Sequence, residues 1–459
     1  MMYIEQIYTG CLAQASYYIE SNGEAAVIDP IRDYESYLSL AEERHAKLKY
    51  VFETHFHADF VSGHVDLARV AGIPIVYGPE TESAIPAYIA KDGEEFSIGA
   101  LKMLALHTPG HTPESTSFLL RDESGKDHAI FSGDTLFVGD VGRPDLFDGK
   151  FSREEMCARL YHSLNTKIKT LADDVIVYPA HGAGSSCGKN LGPEQQSTIG
   201  IQKATNYALK EMTVEAFTKE VTDGITAPPM YFAKNAQLNK TGYAAFETIL
   251  QNGMKALSIE DFEKEIKKGV VVIDSRKAGD FELGFIPQSI NIGLTGQYAI
   301  WAATLIDLKQ PIALVCEPGT EKESVTRLTR TGFDAIVGFL DGGFENWKSS
   351  GKSIDMVVSI EPDELLIDAK FENDIQIIDV RKPSEWESGH LSQAQNIPLQ
   401  DLEAKIPTLT RDKPFYIHCA GGYRSMVASS IFKKHGFTNI RNVYGGYAKI
   451  KEAEKELSE

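Results

Sequence analysis

Cysteine is scarce in this sequence: five residues in 459. That is too few for a disulfide scaffold, and the odd number fits a reducing compartment. No uncharged apolar stretch approaches the ~18 residues that a membrane-spanning helix requires, so no membrane partner is expected. Basic charge is in deficit, with 46 Lys and Arg against 65 Asp and Glu and a formal net charge of −19. This balance argues against nucleic acid or an anionic membrane as a partner. The opening residues Tyr3-Ile4-Glu5-Gln6-Ile7-Tyr8 carry neither the basic flank nor the apolar centre of an export signal, so a cytoplasmic location is expected. Hydrophobic residues make up 42 % and charged residues 24 % of the chain. Those proportions exclude global disorder, and the length suggests about three domains. An acidic, multi-domain enzyme is the expectation.

Residues 1–190 alternate short apolar strands with helical stretches. Tyr17-Tyr18-Ile19-Glu20 and Ala25-Ala26-Val27-Ile28-Asp29 read as strands joined by the turn Ser21-Asn22-Gly23, and Tyr34 to Ala46 reads as a helix. Residues 191–255 are mostly helical in pattern, with Pro228-Pro229 as punctuation, and form a connector or elaboration. The remainder repeats itself. Asp274-Ser275-Arg276, Gly284 and Asn291 recur 105 positions later as Asp379-Val380-Arg381, Gly389 and Asn396. Cys316, Gly319 and Gly342-Gly343 recur 103 positions later as Cys419, Gly422 and Gly445-Gly446. Each copy, 256–355 and 360–459, reads as an α/β domain with a parallel sheet.

Four loops in the first block follow short apolar strands and carry His or Asp. They are Thr54-His55-Phe56-His57-Ala58-Asp59-Phe60, Pro109-Gly110-His111, Gly133-Asp134-Thr135 and Ala180-His181-Gly182. A lone histidine is more often a structural residue, but imidazoles and carboxylates at successive strand ends converge on a metal. These motifs resemble the metallo-β-lactamase fold, an αββα sandwich. The usual His-x-His-x-Asp-His motif of that superfamily holds two metals, and here its last position is Phe60. A benzyl group donates no ligand, so the second site is expected to be empty or weak. What remains is His55, His111 and Asp134; two histidines and one carboxylate suit non-haem Fe(II) that activates O₂. His57, Asp59 and His181 would then orient ligands or water. Together with Gly142-Arg143-Pro144-Asp145-Leu146 and His181-Gly182-Ala183-Gly184, these features are similar to the persulfide dioxygenases. That resemblance implies one Fe(II) per chain on His55, His111 and Asp134, with Arg143 holding the anionic part of the thiol substrate.

In the last block, Tyr416-Ile417-His418 feeds Cys419-Ala420-Gly421-Gly422-Tyr423-Arg424-Ser425, with a helix expected from Met426. A thiolate there is favoured by the helix dipole and by amides that Gly421 and Gly422 let turn inward, and Arg424 adds positive charge. Tyr423 belongs to the same substrate-binding loop. With Asp379-Val380-Arg381 this loop resembles the rhodaneses, in which such a cysteine carries sulfane sulfur; Asp379 and Arg381 read as a structural pair. In the middle copy the loop is Cys316-Glu317-Pro318-Gly319-Thr320-Glu321. Its added acids and lost amide donor would repel a persulfide, so that copy reads as a degenerate rhodanese unit. Cys11, Cys157 and Cys187 have no such surroundings and read as structural.

The whole arrangement resembles the bacterial fusions of a persulfide dioxygenase with a sulfurtransferase. The resemblance implies oxidation of a low-molecular-weight thiol persulfide by O₂ to sulfite, followed by sulfur transfer through Cys419 to give thiosulfate. It also implies a homo-oligomer. One alternative is a two-zinc, glyoxalase-II-like thioester hydrolase with a rhodanese sulfur-carrier module. Another is a sulfur-carrier or redox-sensing protein with a vestigial metal site.

Overall fold

A computed structural model describes residues 2–146, 151–372 and 375–456. The described residues divide into two compact units: one reaches Phe246 and includes Thr329–Gly332, and the other comprises Glu247–Leu328 and the residues from Phe333 onward.

The first unit is built on two six-stranded sheets. One has the order β1 (Met2–Thr9), β2 (Gln14–Ser21), β3 (Glu24–Ile28), β4 (Lys47–Phe52), β5 (Ile75–Tyr77), β6 (Tyr88–Ile89). The other contains β7 (Glu95–Ile98), β8 (Leu101–His107), β9 (Thr116–Arg121), β10 (Asp127–Gly133), β11 (Ile176–Pro179) and β12 (Ser197–Thr198), again neighbouring in chain order. The expected hairpin is β2–β3, turned by Asn22 and Gly23, both in the left-handed region with φ 51° and 78°. Both sheets are mixed, antiparallel except where β3–β6 and the β10–β11 pair run parallel. Their inner faces share one core: Tyr17, Ile19, Ile28 and Phe52 from the first meet Met103, Phe118, Leu120 and Phe131 from the second. This is the expected sandwich.

The outer face of the second sheet (Leu119, Ile130, Val177) is covered by Leu160 and Leu164 and also by Ile199, Phe217 and Val221. The last three lie in the stretch that reads in sequence as a connector. Packed as they are, they belong to the core of the first unit.

The second unit repeats one topology. β13 (Ala256–Leu257), β14 (Val271–Asp274), β15 (Ile290–Asn291), β16 (Ile312–Val315) and β17 (Ile336–Leu340) form a parallel sheet ordered 13-17-16-14-15. β18 (Val358–Ile360), β19 (Gln376–Asp379), β20 (Ala394–Asn396), β21 (Phe415–His418) and β22 (Ile440–Val443) repeat it as 18-22-21-19-20. The repeated residues form the same internal network in each copy. Arg276 and Arg381 each grip their Asp at 2.6 Å and donate to Gly284 O and Gly389 O, at 2.9 and 2.8 Å. Asn291 and Asn396 each donate to the carbonyls of that Asp and that Arg. The Asp and Arg of the motif are therefore structural, tying a strand end to the turn that follows it. Phe281, Phe285, Val357 and Met426 join the two copies in a shared apolar cluster.

Candidate metal centre and cysteine loops

His55, His111, Asp134 and His181 stand in the loops after β4, β8, β10 and β11, all at the same ends of the two sheets. The ligand atoms of His55, His111 and Asp134 converge: Asp134 Oδ2 lies 3.7 Å from His55 Nε2 and 3.3 Å from His111 Nε2. All three residues are buried, at 1 % exposure each.

Each imidazole is held by its other nitrogen. His111 Nδ1 donates to the Arg143 carbonyl at 2.8 Å. His55 Nδ1 meets Thr54 Oγ1 at 2.9 Å, and that hydroxyl donates onward to Asp29 at 2.8 Å. Both rings thereby present Nε2 inward, as a metal requires. Burial, with three neighbouring imidazoles, holds the His55 pKa well below its ordinary value and keeps the ring neutral. His55 Nε2 and both Asp134 oxygens are buried without a hydrogen-bond partner. A cation between the three residues would satisfy His55 Nε2 and Asp134 Oδ2, so these residues fit a metal.

His57 takes another path. Its Nε2 lies 3.1 Å from Asp29 Oδ1 and 4.0 Å from Glu53, and the Phe60 ring packs on it at 4.4 Å between centroids. Burial opposes its charge, but Asp29 prevails, aided by Glu53 and Asp59, and raises its pKa to about 9. The ring is an imidazolium facing the carboxylates behind the triad. His64 opens the helix His64–Ala71 and meets the Tyr77 hydroxyl at 3.2 Å, a structural placement. His181 Nε2 lies 3.5 Å from Asp134 Oδ1, and its Nδ1 is 3.6 Å from Asp59.

Next to His111 opens a cavity of about 700 Å³, walled by Phe56, Pro113, Leu146 and Phe151 and by Ala236 and Lys240. Arg143 does not line it. Its guanidinium is clamped by Asp145 at 2.7 and 2.8 Å and by the Thr226 carbonyl at 2.7 Å. This is the guanidinium that the resemblance gives to the substrate anion; its Nε and Nη2 are engaged by Asp145 and Thr226, and its backbone carbonyl reaches His111.

The second candidate site follows β21. Cys419 Sγ accepts the Gly422 N–H at 3.1 Å and faces Ser425 Oγ at 3.7 Å, where the helix Tyr423–Lys434 begins. Gly422 has φ 105°, open to glycine at little cost, and this turns its amide onto the sulfur. Arg424 forms a bidentate pair with Glu385 at 2.6 and 2.7 Å. A cavity of about 690 Å³ meets Cys419, Gly421, Tyr423 and Arg424 on one side, and Gln297 and Trp301 of the middle copy on the other. The Tyr423 hydroxyl donates to Gly293 O at 2.8 Å. In the middle copy, burial and the Glu321 carboxylate push Cys316 up to about 11, although Ser275 and Ser324 oppose them.

Residues 9–181 match the metallo-beta-lactamase superfamily, and residues 258–350 and 363–453 each match the rhodanese-like domain. A solved metallo-beta-lactamase from Staphylococcus aureus is 32 % identical, with a TM-score of 0.65 over 74 % of this chain and 98 % of that one. The chain belongs to the metallo-beta-lactamase superfamily, with two rhodanese-like domains following. Among curated relatives, the cytoplasmic hydroxyacylglutathione hydrolase of Arabidopsis thaliana is 36 % identical over 164 residues, 35 % of this chain and 60 % of that one. The hydroxyacylglutathione hydrolase of Brucella ovis is 38 % identical over 190 residues, 41 % of this chain and 65 % of that one. This chain thus spans less than two thirds of the length of these relatives.

Sequence reasoning missed how the metallo-beta-lactamase part holds its histidine loop. Asn239, on the helix Tyr231–Thr241, donates to the carbonyls of His57 and Phe60 at 2.8 Å and accepts the Ser62 N–H at 2.9 Å. Ala233, Ala236, Gln237 and Lys240 of that helix also wall the cavity beside His111. Asn239 lies about 180 positions from its partners, with no local motif to mark it. Among the described residues, no helix is long and apolar enough to cross a membrane.

Proposed function

We propose that this protein is a non-haem Fe(II) persulfide dioxygenase coupled to a rhodanese-type sulfurtransferase. The observation that carries the reading is the pairing of His57 with Asp29 beneath Phe60. His57 Nε2 is engaged by Asp29, the last imidazole of the two-metal motif is replaced by Phe60, and His55, His111 and Asp134 face a common point. A ferrous ion held there by His55, His111 and Asp134 would supply O₂ activation.

The chain's own residues do the rest. Thr54 and the Arg143 carbonyl fix the ligand rings. The cavity beside His111 takes the carrier thiol, its apolar walls packing the chain of the carrier and excluding water from the persulfide end. Overall, RSS⁻ + O₂ + H₂O gives RSH + SO₃²⁻ + H⁺. Cys419 thiolate then attacks the outer sulfur of a second persulfide and releases its thiol. The new Cys419 persulfide anion, stabilised by the Gly422 amide and the helix N-terminus, passes that sulfur to sulfite; thiosulfate leaves and the thiolate is regenerated. Arg424 and Tyr423 shape the entrance that both anions use. Carrying both sites on one chain raises the local concentration of sulfite at the acceptor.

The test is O₂ uptake with glutathione persulfide on the purified, metal-loaded chain. Uptake and one iron per chain are expected, and Cys419→Ser should leave uptake intact while sulfite accumulates. The relatives named as hydroxyacylglutathione hydrolases favour a second reading, thioester hydrolysis by a metal pair. Two zincs per chain, with turnover of a glutathione thioester under strict anaerobiosis, would establish that reading and sink the first.

A further inference from the structure

Two loops of irregular backbone lie behind the triad. One runs from Asp29 to Asp33, after β3, and brings Asp29 to His57 and Thr54. The other is the histidine loop, from Thr54 to Ser62, after β4. Where they abut, Ser62 Oγ and the Gly63 N–H both donate to the Pro30 carbonyl, at 2.9 and 2.8 Å. The turn between β1 and β2 is tied to the centre as well. Its Ala13 carbonyl accepts the Gly182 N–H and lies 3.3 Å from His181 Nδ1.

One short segment touches all three. Thr329–Gly332 belongs to the first unit although it lies far along the chain from the rest of it. Within it, the Arg330 carbonyl accepts the Val61 N–H at 2.8 Å. Val61 is fully buried, and a buried amide without an acceptor costs about as much as a lost hydrogen bond. The Arg330 guanidinium forms a bidentate pair with Asp33, at 2.7 Å from both Nε and Nη2. Its Nη1 meets Cys11 Sγ, in the β1–β2 turn, at 3.9 Å. Charge-assisted pairs with two parallel bonds fix orientation as well as distance, and this one is only 15 % and 22 % exposed.

We infer that Arg330 is a positioning residue for the metal centre. It touches no candidate ligand itself. Through Val61 it fixes the end of the loop that carries His55. Through Asp33 it fixes the loop that carries Asp29, and so the Thr54 hydroxyl against which His55 Nδ1 rests. Through Cys11 it steadies the turn on which His181 leans. Three ligands retain an ion only while they stay converged, and the groups one step behind them set that retention. Arg330 gathers the donors in this way whichever ion they hold, so its role does not depend on the persulfide reading.

The test uses the full chain loaded with Co²⁺ under argon, as wild type, Arg330→Ala and Arg330→Lys. Hydrogen exchange, read by mass spectrometry on peptides covering residues 54–64, reports the loop. Decay of the cobalt absorption in excess chelator reports the centre. Arg330→Ala is expected to speed both roughly tenfold or more. Arg330→Lys keeps the charge but not the fork, and should recover part of each. Sulfur transfer from thiosulfate to cyanide should stay at the wild-type rate. Arg44→Ala removes an ion pair with Glu20 in the same unit but outside these loops; it controls for lost stability and should leave both readouts unchanged. Wild-type exchange and cobalt release in Arg330→Ala would overturn the role, and so would a chain that binds no Co²⁺. Equal acceleration in Arg44→Ala, or a matching loss of sulfur transfer in Arg330→Ala, would reduce Arg330 to general stability of the fold and overturn it too. Failure of O₂ uptake bears on the catalytic reading alone.

Discussion

His57 and Asp29 form a buried ion pair, 3.1 Å between Nε2 and Oδ1, directly behind the candidate metal ligands. Asp29 sits just past the end of β3 at φ 49°, in the left-handed region that aspartate tolerates better than most side chains. Its other contacts are the backbone and hydroxyl of Thr54, so one carboxylate restrains His57 and, through Thr54, His55.

This pair sets a pH dependence. The folded His57 pKa of about 9 lies above its ordinary 6.5, so the native state holds this proton more tightly than the unfolded chain does. The stabilisation is fully present below about pH 6.5 and is lost as pH rises through about 9. Glu53, raised well above its ordinary value by burial and then by Asp29, acts in the same direction. Thermal unfolding followed from pH 6 to 10 should therefore show Tm falling over the alkaline half. Asp29→Asn should lower Tm at pH 6 and flatten that fall; an unchanged slope would mean that His57 is not the group responsible.

Asn239 fastens the histidine loop through three buried hydrogen bonds, each worth about 1 kcal/mol, with a further cost for the carbonyls and amide left unsatisfied. Asn239→Ala should cost about 3 kcal/mol in denaturant unfolding. It should also weaken metal retention at the triad, measured by dialysis against a chelator. Asn239→Asp keeps the acceptor for Ser62 but sets a buried oxygen against the His57 and Phe60 carbonyls, and should cost at least as much as Asn239→Ala. Loss of stability with no change in metal retention would confine Asn239 to a structural role.

The two cysteine loops should separate by reactivity. With Cys316 held up at about 11, roughly one molecule in ten thousand carries its thiolate at pH 7. Iodoacetamide at neutral pH, read by peptide mass spectrometry, should label Cys419 well before Cys316. Replacing the acid with Glu321→Arg should narrow the gap by speeding Cys316. Equal rates in the wild-type chain would remove the argument that the middle copy is degenerate.

The sandwich and both parallel sheets were legible because their strands are short apolar runs between turn residues, and because the tandem copies repeat Asp-x-Arg, Gly and Asn at fixed offsets. The structure explains that repeat: Arg276 with Gly284 and Arg381 with Gly389 are one hydrogen-bonded device used twice. The metal loops were legible from histidines at strand ends. What stayed hidden acts across long separations in the chain. Nothing near Asn239 shows that it will cap a loop about 180 residues upstream, and nothing near Arg143 shows that the Thr226 carbonyl will join Asp145 on its guanidinium. Cys187 read as structural by default because no anion nest surrounds it, although it lies near the His181 loop in sequence; its neighbours in space are Asp134 and His181. Residues 191–255 read as a connector or elaboration because their pattern is mostly helical, with Pro228-Pro229 as punctuation. Burial of Phe217 and Val221, and not helix propensity, fixes them against the second sheet.

The middle rhodanese-like domain is needed for the shape of the Cys419 cavity. Gly296 lies so close to Tyr423 that a Cβ there would sit 2.4 Å from the ring, and the Tyr423 hydroxyl donates to Gly293 O. Arg327 fixes this stretch by donating to the carbonyls of Leu294 and Gly296. Gly296→Ala must displace Tyr423, whose backbone begins the helix that Cys419 faces. Sulfur transfer from thiosulfate to cyanide should fall by an order of magnitude or more, while O₂ uptake with glutathione persulfide is unchanged. Tyr423→Phe removes only the hydroxyl bond and should cost about 1 kcal/mol, a several-fold loss at most. If Gly296→Ala transfers sulfur at the wild-type rate, the middle domain contributes nothing to that cavity beyond its presence in the fold.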